Sequence, residues 1–124
     1  MKKIIYIFFL LLSLLFSCQM KRANWDKLNE LMEEKFVATW LANREKAVAL
    51  GARIRPIEPE TALKNAKRTL SGSRVSDGFD ALAAKNRLYL TLEALVIDKR
   101  FTGLFTDEEA NEALTRLLEA GYRF

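Results

Sequence analysis

From Trp25 onward the apolar residues recur at steps of three and four, and nowhere do they alternate for more than a few positions. That spacing belongs to helices, because a half-buried strand needs a period of two. The chain is therefore expected to be all-α, a small bundle of about four helices. The first is expected over residues 25–50. Asn24 stands at its cap position, Gly51 stands just past its end, and Trp25, Leu28, Met32, Phe36 and Trp40 form one apolar stripe. Residues 53–59 carry both prolines and read as a connector. A second helix is expected over residues 59–70, with Pro59 and Glu60 in its first turn and Ala62, Leu63, Ala66 and Leu70 facing inward. Residues 71–78 hold glycines and serines and form the most flexible-looking internal segment. A third helix is expected from Asp77 or Gly78 to Asp98. Its stretch 88–97 is apolar except for Thr91 and Glu93, which marks a central, buried helix. The fourth follows Thr106-Asp107-Glu108-Glu109, a capping box, and stops at Gly121. A bundle of this size buries about 65% of its unfolded surface, enough to stand alone.

The first residues follow another logic. Lys2 and Lys3 precede a run from Ile4 to Phe16 in which Ser13 is the sole polar residue. A basic start, an apolar run and small residues at its end describe a secretory signal peptide. Thirteen helical residues reach about 20 Å, short of the ~30 Å hydrocarbon core of a bilayer. Counting on to Met20 gives 17 residues, the lower limit for a span, so a retained anchor helix stays open beside cleavage and plain secretion. Lys21 and Arg22 on the far side nearly balance Lys2 and Lys3, so charge gives a retained anchor no clear orientation.

Leu15-Phe16-Ser17-Cys18 resembles the lipobox of bacterial lipoprotein precursors, with Leu three positions before the cysteine and a small residue directly before it. The resemblance covers the leader and Cys18 and assigns no family to the rest. It implies a diacylglycerol on the Cys18 sulfur, then cleavage and acylation of the freed amine by a fatty acid such as palmitate. The organisation it implies is a signal peptide at 1–17, a lipidated tether at 18–24 and a helical domain at 25–124. It places the protein in the bacterial cell envelope, anchored by membrane lipid. Gln19 is not the aspartate that retains such proteins at the inner membrane, which favours the outer membrane where one exists. Two or more acyl chains hold a protein stably, at ~0.8 kcal/mol per buried CH₂. Cys18 is the sole cysteine, and a stray thiol in an exported protein is a liability.

Composition narrows the function. The chain has no histidine, which removes imidazole bases and every histidine-bearing metal site. One cysteine removes internal disulfides and paired-cysteine redox chemistry. Losing Lys2 and Lys3 with the leader lowers the formal charge from +4 to +2, and the later basic residues form only pairs, Lys67-Arg68 and Lys99-Arg100. Nucleic acid is accordingly not expected as a partner. Nor is an enzyme or a cofactor, although a carboxylate or lysine enzyme is compatible with this composition.

The sharpest local pattern is residues 98–109. Counted from Asp98, Thr102 is fifth, Gly103 sixth, Phe105 eighth and Glu109 twelfth, which is similar to an EF-hand loop. Arg100 sits third, where an oxygen ligand belongs, so the expectation is a helix-turn-helix corner; Asp98, Thr102 and Glu109 are the candidate ligands of a degenerate calcium-responsive alternative. Glu33-Glu34 and the Asp107 to Glu109 run read as solvated charge, since glycosidic carboxylates face each other across a cleft. Nothing in their spacing brings Ser73 or Ser76 to Lys64 or Lys67. Trp25 and Trp40 lie on similar faces and read as core, with an exposed aromatic patch as the other possibility. The expectation that joins these readings is a lipid-anchored, non-catalytic interaction module for an envelope protein. Tyr122 and Phe124, near the chain end, are its candidate contacts.

Overall fold

The computed structural model describes the backbone of residues 2–123 and the side chains of residues 25–123. The lipobox with Cys18, and Phe124, lie outside the described side chains. Among the described residues the fold is all-α, with no strand. Helix α1 spans Lys2–Ala49, α2 Ala62–Ser71, α3 Phe79–Ala84, α4 Leu92–Val96 and α5 Asp107–Glu119, with 3₁₀ turns at Leu88–Leu90 and Lys99–Leu104. The chain divides into two compact units, Met1–Leu31 and Met32–Phe124. In the first unit Trp25, Leu28 and Leu31 are exposed. No helix among the described residues is long and apolar enough to cross a membrane.

The expected stripe continues into the second unit as core. Phe36 is fully buried, and its ring meets Trp40, Phe101 and Phe105 at centroid separations of 5.8, 5.6 and 5.3 Å. The Phe101 and Phe105 contacts are edge-to-face, and pairs of that kind add about 0.5–1.5 kcal/mol each beyond area burial. Around them pack Ala66 and Leu70 of α2, Leu92 and Val96 of α4, and Ala113 of α5. The small alanines let the backbones approach. A second cluster joins Ala47, Ala52, Leu82 and Leu90, and a third joins Phe79, Leu88 and Leu117.

Helix ends are set locally. Past α1, Gly51 takes φ 96°, and the Ala52 and Gly51 N–H groups donate to Ala47 and Val48 carbonyls at 3.0 Å each. Past α5, Gly121 takes φ 86°, with Tyr122 N–H donating to Leu117 O at 2.9 Å. Both are Schellman stops, where a left-handed residue turns the chain back onto its last carbonyls. The capping box of α5 forms in full: Thr106 Oγ1 accepts from Glu109 N–H at 3.2 Å, and Glu109 Oε1 accepts from Thr106 N–H at 2.9 Å.

Three expected elements are corrected. Helix α1 runs from Lys2 through Asn24, so Asn24 lies inside the helix and is not its cap. Helix α2 starts at Ala62, because residues 58–61 close a turn first, Thr61 N–H donating to Glu58 O at 3.2 Å. The expected third helix is not continuous. It stops after Ala84, where Asn86 adopts φ 57° and Arg87 N–H donates to Leu82 O at 2.7 Å. Asparagine tolerates the left-handed region better than other side chains, so it serves here as glycine does at 51 and 121. The chain restarts at Thr91, whose Oγ1 accepts from Ala94 N–H at 3.2 Å and donates to Leu88 O at 2.6 Å. The break has a packing reason. It sends Leu88 to the third cluster, Leu90 to the second, and Leu92, Leu95 and Val96 to the first.

Candidate functional site

The calcium-loop pattern forms a corner whose oxygens already have partners. Both Asp98 oxygens face Arg100, Oδ1 accepting its N–H at 2.9 Å and Oδ2 its Nη2 at 2.9 Å. The Arg100 guanidinium holds the Asp98 carboxyl below its ordinary range. Thr102 Oγ1 donates to Lys99 O at 3.3 Å. Burial pushes Glu109 up, but the Thr106 N–H and the Lys67 ammonium at 3.3 Å outweigh it and leave the carboxyl below its ordinary range. Residues 99–104 wind into a 3₁₀ turn instead of an open loop. Among the described residues, no group of three or more acids or cysteines is placed to hold a metal ion.

The partner candidates separate. Tyr122 is half-buried and packs against the cluster of Phe79, Leu88 and Leu117. Trp40 is half-buried beside Phe36, as the core reading expects, whereas Trp25 is exposed. Of the serines and lysines, Ser76 turns inward to Glu93 and Lys67 reaches Glu109. No contact joins these serines to these lysines among the described residues.

Two arrangements lay outside the sequence reading. The first is a buried ion cluster. Glu93 is 0% exposed; its Oε2 accepts the Ser76 hydroxyl at 2.7 Å and its Oε1 accepts the Ser76 N–H at 3.0 Å. Arg116 of α5 lies 3.6 Å from Glu93 Oε1 and is itself buried. The same guanidinium donates to Glu112 Oε1 at 2.9 Å, to Gly72 O at 2.8 Å and to Thr69 O at 3.3 Å. It thus places a cation on the last carbonyls of α2, where a cation is favoured. Segment 71–78, the most flexible-looking in sequence, is pinned through Gly72 and Ser76. Glu93 was visible as the one acid within the apolar stretch 88–97; nothing in sequence marked Arg116 as its partner.

The second is a cavity of about 590 Å³ beside the proline-bearing connector. Helix α1, the connector, α2, the loop after it and residues 90–92 build it. Arg44 of α1 donates from Nη2 to Ile54 O at 2.9 Å and from Nε to Arg55 O at 3.1 Å. Arg55 in turn forms a forked pair with Asp77, Nε to Oδ2 at 2.9 Å and Nη2 to Oδ1 at 3.3 Å. The Arg55 side chain lowers the Asp77 carboxyl from its ordinary range. The connector is therefore clamped from both sides. Gly78 follows with φ 78°, and a Cβ there would lie 2.9 Å from Ile54 Cγ1. Trp40, Ile57, Val75, Leu90 and Leu92 supply apolar lining, and Arg68 and Arg74 line it as well. An adjoining cavity of about 470 Å³ shares Arg44, Ile54, Arg55 and Asp77 and adds Arg53.

No protein-family model, no curated protein and no solved structure matches the chain.

Proposed function

We propose that this chain is a lipid-anchored lipoprotein of the bacterial cell envelope whose helical domain is a non-catalytic protein-interaction module. Membrane lipid is its first partner, through acylated Cys18, and an envelope protein is its second. The role belongs to the class that holds assembly factors, secretion and conjugation accessories, exclusion factors and inhibitors of envelope enzymes. The observation that carries the reading is the position of the sole cysteine, at the end of a basic and then apolar leader and shortly ahead of a self-contained folded body. Two features are in keeping with a rigid module. Each buried polar side-chain atom among the described residues has a hydrogen-bond partner, and the acids and bases of the core are spent on one another.

The test is the mass of the mature protein extracted from bacterial membranes, for wild type and Cys18→Ser. The expected wild-type chain begins at Cys18 and carries acyl groups, and the variant lacks them and leaves the membrane fraction. Unmodified chains beginning near Met1 in both would overturn the proposal in favour of an anchor helix.

A further inference from the structure

Among the residues with described side chains, five of the nine arginines, Arg44, Arg53, Arg55, Arg68 and Arg74, line the two adjoining cavities, and none of the seven lysines does. Lysine and arginine serve equally as solvated surface charge. They differ where a planar fork must grip two oxygens at once, and arginine is the residue for that. Asp77 is the one acid among the described lining residues, and Arg55 occupies both its oxygens. Arg44 spends its bonds on neutral carbonyls, which leave its charge uncompensated. The Arg68 and Arg74 guanidinium groups make no hydrogen bond or ion pair among the described residues. The larger cavity, with four arginines and one aspartate, thus carries a formal excess of three positive charges. Arg55, Arg68 and Arg74 are exposed and Arg44 is half-buried, so solvent screens their mutual repulsion, yet their summed potential still favours an anion at the cavity. Trp40, Ile57, Val75, Leu90 and Leu92 line the same cavity, and its volume lies in the range of small-ligand pockets.

We propose that this arginine-walled cavity binds a small organic anion, a phosphate or carboxylate carried on an apolar body. Arg68 and Arg74 take the charged head. Arg44 and the Arg55–Asp77 pair hold the connector that forms the rim. Trp40 and Ile57 cover the apolar body. This proposal stands independently of the lipid anchor.

The test uses the full-length chain in dodecyl maltoside carrying Trp25→Phe, so that Trp40 is the sole indole. Phenyl phosphate is titrated and Trp40 emission is read. A saturable change is expected, and inorganic phosphate should bind more weakly because it cannot use the apolar wall. The double variant Arg68→Gln/Arg74→Gln should weaken phenyl phosphate by roughly ten-fold or more. The double variant Lys99→Gln/Arg123→Gln removes the same charge elsewhere and should shift it less than about two-fold. Unfolding midpoints of both variants show that the fold is kept. In phosphatidylcholine nanodiscs with and without phosphatidylglycerol, weaker apparent affinity in the anionic discs would make a lipid headgroup the natural source. Equal affinity would make it a free anion; either result sustains the site. Absence of a saturable change, equal losses in the two double variants, or phosphate binding as tightly as phenyl phosphate would each overturn it. So would a site that takes an acidic peptide and refuses phenyl phosphate.

Discussion

At the scale of single residues, Arg116 carries the largest expected effect. Its guanidinium faces a fully buried carboxylate and three backbone carbonyls of the α2 end. Arg116→Met would leave the Glu93 charge held by Ser76 alone. Breaking one side of a buried pair typically costs about 3–5 kcal/mol, a large share of the ~5–15 kcal/mol that holds a domain together. The urea midpoint should fall accordingly. Acid should act through Asp77, Asp98 and Glu109. All three sit below their ordinary range when folded. Groups depressed in this way contribute stability above their unfolded values, near pH 4, and lose it as pH falls through the lower folded ones. The urea midpoint should therefore stay level above about pH 5 and drop below about pH 4. In Glu109→Gln the midpoint at neutral pH should be lower and the acid drop shallower. An unchanged drop would show that Glu109 takes no part in it.

At the scale of elements, the ends of helices were legible where one residue type does one job. Gly51, Gly121 and the Thr106 to Glu109 box stop or start helices as their spacing announces. The break after Ala84 was not legible, because the apolar run beyond it has the composition of one buried helix. Asn86 was the signal, and its weight depends on the three separate clusters that the break feeds. Replacement by alanine puts a Cβ-bearing, non-bonding residue at φ 57° and should cost about 1–2 kcal/mol. Replacement by glycine should leave stability within about 0.5 kcal/mol, since glycine takes that conformation freely. Equal effects of the two substitutions in urea unfolding would mean the asparagine side chain, not the backbone turn, matters.

At the scale of the whole molecule, the three apolar clusters formed by the described residues lie between Met32 and Tyr122. A chain lacking residues 1–31 is therefore expected to keep a cooperative urea transition with a midpoint near that of the full-length chain. A broad, non-cooperative loss of ellipticity would show that the earlier residues are needed to fold. The helical class and the main aromatic stripe could be read from sequence because they depend on spacing alone. The arginine-walled cavity could not, because its residues come from α1, the connector, α2 and the following loop, and only the fold gathers them.

The aromatic centre also sets an order of events during synthesis. Phe36 leaves the ribosome well before Phe101 and Phe105, the rings that cover it. Until they follow, Met32, Phe36 and Trp40 form a bare apolar ridge on a nascent helix. Helices α4 and α5 are neighbours in sequence and can pair as soon as they are made, while the ridge must wait for them. The growing chain is thus most prone to clumping before its last quarter exists, and it is in that interval that a holding chaperone would have something to grip.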